Sequence, residues 1–183
     1  MKAESTPPPR RKGFTLVELL AALTVLSILA LLGLAALGAA GERARATQCV
    51  SNLRQIGLAL QAFAADHEQQ LPDIVAGRHS LSENVPVLDT VLLPYTGGEA
   101  AVFRCPGDAK KLFETTGCSY FWNYLPVIQP DGSKNLRLPG LEFPLTNQSS
   151  LSQIPLVVDK EAFHDRGRTS NILYADGSVR ASR

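Results

Sequence analysis

The apolar and polar positions divide the chain into three stretches. Residues 1–13, MKAESTPPPRRKG, hold no apolar run, and Pro7, Pro8 and Pro9 exclude a helix there. Residues 14–40 form a nearly unbroken apolar run of 27 residues. As a helix this run is about 40 Å long, more than the roughly 30 Å hydrocarbon core of a bilayer. Beyond Gly41 the pattern becomes periodic: Val50, Leu53, Ile56, Leu60 and Phe63 recur at intervals of 3, 3, 4 and 3. That spacing predicts an amphipathic helix with one buried stripe. Arg43, Arg45, Gln48, Arg54 and Gln61 take much of the remaining surface. The apolar run and the stripe together predict one long helix over 14–67, transmembrane to about residue 40 and ending near Asp66 or His67.

Residues 68–183 read as a separate head. Val85, Leu88, Val91, Leu92 and Tyr95 predict a short helix capped near Asn84. The aromatic segment 118–124 and the runs 154–158, 171–175 and 178–181 read as strands. Asp176-Gly177 between the last two predicts a hairpin with a type I′ turn. The fold class is therefore α+β: a long N-terminal helix, its first half transmembrane, packed on a small antiparallel sheet.

Charge sharpens this division. The net charge is +1 and charged residues make up 19% of the chain. This balance offers no electrostatic case for nucleic acid or an acidic substrate. The cluster Arg10, Arg11 and Lys12 predicts that residues 1–13 stay on the cytoplasmic side and the head faces outward. A secretory signal peptide has a much shorter apolar region. Neither it nor an uncleaved signal anchor accounts for Glu18, the one charge in residues 14–40. A carboxylate inside an apolar span is costly and marks a function. A cut between Gly13 and Phe14 would create an α-amino group at Phe14 and make Glu18 the fifth residue, one helical turn along. The two charges can then neutralise each other, within a subunit or between neighbours.

Known chemical motifs are mostly absent. The chain has no Cys-x-x-Cys, no Gly-rich phosphate loop and no His-Glu-x-x-His. Its three cysteines are Cys49, Cys105 and Cys118. Cys105 and Cys118 lie 13 positions apart across a turn-rich segment, and on the oxidising side of a membrane they are the natural disulfide, with Cys49 left over. Closing that loop contributes about 3 kcal/mol in the chain-entropy model. Three unrelated thiols in a reducing compartment is the alternative. A zinc site from Cys49, Cys105, Cys118 and His164 requires four distant residues to converge and a reducing environment. Asp159, Glu161, Asp165 and Asp176 are hard oxygen donors close in sequence, with Asp159 and Asp165 the leading calcium ligands if one is bound. Otherwise no cofactor is expected.

The segment G-FTLVELLAAL, with the basic leader before it, resembles the processing signal of type IV prepilins and type II secretion pseudopilins. The resemblance implies a 1–13 leader removed after Gly13 by a prepilin peptidase, N-methylation of Phe14, and pairing of Glu18 with a neighbour's Phe14 amine. Many pilins carry a helix-breaking proline where this chain has Ala35. A second resemblance covers most of the remaining chain. CVSNLRQIGLAL from Cys49, Cys105-Pro106-Gly107-Asp108, Ser119-Tyr120-Phe121-Trp122-Asn123, and His164 with Asp176-Gly177 are similar to the marks of a large bacterial group of pilin-like proteins. Eleven residues separate His164 from Asp176, a longer interval than that group's.

The function these features imply is assembly and not catalysis: a pilin or pseudopilin subunit of a type IV pilus or type II secretion filament. Its partners would be the prepilin peptidase, other pilin subunits and an inner-membrane assembly platform, with no nucleic acid. It would sit in the inner membrane as a single-pass protein with its head outside the cytoplasm, then in a periplasmic or extracellular filament. The rival is a membrane-anchored binding or adhesion module that forms no filament.

Overall fold

The computed structural model describes residues 14–124, 127–128, 134–135, 151–165 and 167–182. The leader expected at 1–13, including Gly13, lies outside them. The chain divides into two compact units, Met1–Ala40 and Gly41–Arg183.

Helix α1 is Leu16–Asp66, so the two apolar patterns belong to one helix that ends where the stripe ends. In the first unit its large apolar side chains between Leu16 and Leu32 are 53–76% exposed. Among the described residues no helix is long and apolar enough to cross a membrane.

In the second unit α1 packs on a small antiparallel sheet, giving the α+β class. Cys49, Leu53, Ile56, Ala59 and Leu60 are at most 3% exposed. The buried stripe is thus centred on Cys49 and Leu53, while Val50 lies at its margin. Past Asp66, Glu68 and Gln69 take left-handed backbone conformations, and Gln69 N donates to Ala64 O at 2.7 Å, which closes the helix without a glycine.

The short helices are α2, Leu88–Leu92, and α3, Leu112–Thr116, with 3₁₀ turns at Leu93–Thr96 and Ala100–Phe103. The N-cap of α2 is Val87 and not Asn84: the Thr90 hydroxyl accepts from Val87 N at 3.1 Å. Strands are β1 Tyr120–Trp122, β2 Val127–Ile128, β3 Lys134–Asn135, β4 Pro155–Asp159, β5 Ser170–Tyr174 and β6 Val179–Ser182. The main sheet has the order β1-β4-β5-β6, all antiparallel, and β2-β3 form a separate pair.

The last hairpin is made by Asp176-Gly177, but not as a type I′ turn. Gly177 has φ +78° while Asp176 stays at negative φ. Gly177 N donates to Tyr174 O and Tyr174 N to Ser178 O, both at 2.9 Å, the pattern of a three-residue loop with a left-handed glycine. The reason is local: the Asp176 carboxylate accepts from Ser178 N at 2.9 Å and Ser178 Oγ at 2.6 Å, which holds Asp176 in an Asx-type turn.

Candidate functional site

Two places carry chemistry. The first is the start of α1. Glu18 N donates to Thr15 Oγ1 at 3.3 Å, while Glu18 Oε2 accepts from Thr15 N at 2.9 Å and from its hydroxyl at 2.8 Å. This is a capping box, Thr15-x-x-Glu18, and it satisfies two backbone donors that the first helical turn leaves free. In the sequence Glu18 stands out as a lone charge and as the fifth residue after Gly13, and the Thr15-x-x-Glu18 spacing carries the capping motif as well. Phe14 precedes the helix and is 82% exposed.

The second place is a buried polar cluster inside the head. The sheet register sets Tyr120 of β1 opposite Asp159 of β4, so both side chains reach the same buried face. Asp159 closes β4, and the chain returns through His164, whose backbone bridges Thr169 before β5 begins. Cys49 lies on the buried stripe of α1, four residues before Leu53. Cys105 follows the second 3₁₀ turn. The donor atoms of Cys49, Cys105 and His164 all lie within 4.8 Å of one another, and all three residues are buried. Cys105 Sγ is 3.3 Å from His164 Nε2. The Cys49 thiol donates to Asp159 Oδ1 at 3.3 Å and contacts Tyr120 Oη at 3.4 Å. His164 Nε2 stands 3.8 Å from Asp159 Oδ2, which accepts from Asn171 N at 2.7 Å and Asn171 Nδ2 at 3.3 Å.

Several motif residues build this cluster from outside. Asn52 Nδ2 donates to Arg104 O at 2.7 Å, which ties α1 to the residue before Cys105. A Cβ at position 107 would sit 3.0 Å from His164 Cε1, so Gly107 is what lets the imidazole approach the Cys105 loop. Asp108 Oδ2 accepts from Phe113 N and from Ser119 Oγ, both at 2.9 Å, joining the same loop to α3 and to the entry of β1.

Burial and mutual contact shift the titrations. The Cys49 thiol is raised, first by its contact with Cys105 and then by burial, with His164 opposing. Burial pushes the Asp159 carboxyl up to about 6, against the hydrogen bonds from Asn171 and Cys49 and the charge of His164. Burial pulls His164 down, but Cys49, Asp159 and Glu42 together outweigh it and raise the imidazole. Tyr120 is raised, chiefly by burial.

The disulfide expected between Cys105 and Cys118 is not present: all three cysteines are free. Cys118 Sγ accepts from Tyr120 N at 3.4 Å beside Lys160 and Arg78, and burial pushes its thiol up to about 12. Cys105 faces His164 instead, because the fold pairs the loop after Phe103 with α1 and the end of β4. The oxygen donors considered for calcium are employed separately. Asp159 belongs to the buried cluster, Glu161 pairs with Lys110 at 2.7 Å, and Asp176 holds its turn. Asp165 is exposed with φ +48° in the loop after His164. His164 and the Asp176-Gly177 turn serve different ends, one inside the head and one at an exposed hairpin.

Residues 8–39 match the prokaryotic N-terminal methylation motif. Residues 38–79 match a family described as a protein of unknown function, DUF1559. Neither description names an enzyme. No curated protein matches the chain, and no solved structure does. The two matches together cover residues 8–79, and the methylation motif makes the N-terminal part of the chain similar to that of type IV pilin- and pseudopilin-like proteins.

Proposed function

We propose that this chain is a structural subunit of a type IV pilus or type II secretion filament. It is made as a precursor, cut between Gly13 and Phe14 by a prepilin peptidase, N-methylated at Phe14, and assembled through its N-terminal helix. The observation that carries this reading is the methylation motif over residues 8–39, which contains Gly13, Phe14 and Glu18 at the spacing the processing step requires.

Physical features of the chain support it. The full apolar run over 14–40 is long enough to insert in a bilayer before assembly, and Arg10 to Lys12 favour an outward-facing head. The large side chains from Leu16 to Leu32 expose apolar surface that lipid covers first and neighbouring subunits cover later. Glu18 then supplies the carboxylate for a neighbour's Phe14 amine, a pairing that fixes register better than it adds stability.

Mass spectrometry of the protein taken from its native membrane tests processing. The expected N-terminus is methylated Phe14. An intact Met1, or a start near Gly41, rejects it. Recovery of the cut chain in a sheared filament fraction tests assembly. A methylated chain found only as membrane-retained monomer would favour an anchored binding module.

A further inference from the structure

We propose that Cys49, Cys105, His164 and Asp159 form a structural metal site of the zinc type, which locks α1 to the head. This is independent of filament assembly and concerns the head alone.

The donor set fits that cation. Two thiolates, an imidazole and a carboxylate are ligands that zinc accepts in a closed tetrahedral site. With metal–sulfur bonds of about 2.3 Å and metal–nitrogen or metal–oxygen bonds of about 2.0–2.2 Å, ligand atoms stand about 3.4–3.8 Å apart. Two separations match: 3.3 Å from Cys105 Sγ to His164 Nε2 and 3.3 Å from Cys49 Sγ to Asp159 Oδ1; the other carboxylate oxygen, Oδ2, is 3.8 Å from His164 Nε2, and Asp159 borders the three-residue cluster, so its carboxylate turns to bring one oxygen to the ion. The two sulfurs and the imidazole nitrogen all lie within 4.8 Å of one another. Three chemically distinct donors converging in this way is not what ordinary core packing requires. A cluster that only filled space would be satisfied by apolar residues of similar volume.

The surroundings fit as well. Asn171 donates twice to Asp159 Oδ2 and orients the carboxylate, as the outer shell of a metal site does. Cys49, Cys105, Asp159 and His164 are each at most 4% exposed, so the site is closed, as structural sites are and catalytic ones are not. A recess of about 360 Å³, lined by Glu42, Gly107, Phe163 and His164 among others, gives an ion an approach from outside. The four ligands come from α1, the Cys105 loop, the end of β4 and the turn before β5. One ion would therefore join segments that the sequence separates by up to 115 residues, from Cys49 to His164. On binding, each cysteine releases its thiol proton and coordinates as thiolate.

The test uses the full chain in detergent, stripped with a chelator under reducing conditions and then titrated with cobalt(II) alone. The expected result is saturation at one ion per chain, with sulfur-to-cobalt charge-transfer absorption and the visible bands of a tetrahedral ion. Zinc should displace the cobalt and raise the unfolding temperature. Cys105→Ser should weaken binding and lower the sulfur absorption, because Cys49 is then the one thiolate left, whereas Cys118→Ser should change neither. Asn171→Ala, in which Asn171 acts as a positioning residue, should weaken affinity about 10- to 100-fold while keeping the tetrahedral spectrum. No uptake by the reduced wild-type chain overturns the proposal, and so does a spectrum and affinity left unchanged by loss of Cys105. The third overturning result is a Cys49–Cys105 disulfide in a non-reduced digest of the native protein. The wild-type titration decides the matter even if a serine variant fails to fold.

Discussion

Thr15 and Glu18 hold each other at the first turn of α1, each side chain bonding the other's backbone N–H, at 3.3 and 2.9 Å. The acidic residue at this position therefore has two explanations, a helix cap and an assembly contact. Different substitutions separate them. Thr15→Ala removes the hydroxyl, costs about 1 kcal/mol at the helix start, and leaves the carboxylate. Glu18→Gln keeps an oxygen for Thr15 N and removes the charge. If assembly needs the charge, both variants are cut and methylated, but only the Gln variant gives a low yield of sheared filaments. Normal filament yield from Glu18→Gln would leave Glu18 as a cap and nothing more.

The Asp176 turn gives a pH-dependent prediction. The hydrogen bonds from Ser178, helped by Arg180, hold this carboxyl below its ordinary value, although burial, the largest single influence, opposes them. A lowered folded value means that the unfolded chain binds the proton more readily. The contribution is thus present above the ordinary carboxylate range near 4 and disappears as pH falls through the lower folded value. The site is exposed, so solvent screening keeps the effect below about 1 kcal/mol. Asp176→Ala should be less stable than wild type at pH 7, and the gap should close in strong acid. A gap independent of pH in denaturant titrations would show that the carboxylate is not the source.

Much of the fold was legible because its signals are local. The stripe through Leu53, Ile56 and Leu60 fixed the buried face of α1, and the last hairpin followed from Asp176-Gly177. Sequence spacing could not say which thiol meets which. Cys105 and Cys118 are close along the chain, yet Cys105 turns toward His164, 59 residues away, while Cys118 lies against β1. That outcome depends on β4 pairing with both β1 and β5, a tertiary choice invisible in any short window. One clue was available. Cys49 is four residues before Leu53, so it belongs to the buried stripe and its thiol had to find a partner inside the head.

Asp108 should matter more than its place in a loop suggests. Its Oδ2 accepts from Phe113 N and Ser119 Oγ, linking α3 to β1. Asp108→Ala leaves both donors without that partner and should cost about 2–4 kcal/mol. Asp108→Asn keeps an acceptor in the same position and should cost less than half as much. Chemical unfolding of the two variants measures the order. Equal losses would mean that the loop tolerates absence of these bonds.

Gly117 tests a buried ion pair through a backbone position. It ends α3 in a left-handed conformation, φ +78°, with its N–H on Phe113 O. A Cβ there would stand 2.1 Å from Arg78 Nη2 and 2.7 Å from Asp89 Oδ2. Those groups form a salt bridge whose side chains are only 9% and 13% exposed, and Arg78 Nε also donates to Thr116 O at 2.7 Å. Gly97 is a matched control: its φ is +68°, and nothing lies within 4 Å of the corresponding Cβ. Alanine at either site incurs the left-handed penalty of about 1–2 kcal/mol. Only at 117 must the methyl also displace the guanidinium from Asp89, and separating a buried pair costs about 3–5 kcal/mol. Gly117→Ala should therefore destabilise the head by several kcal/mol more than Gly97→Ala. Combined with Arg78→Ala, the Gly117→Ala loss should be less than additive, because both changes disrupt the same pair. Equal effects at the two glycines, or strict additivity with Arg78→Ala, would show that the pair yields to the methyl without cost.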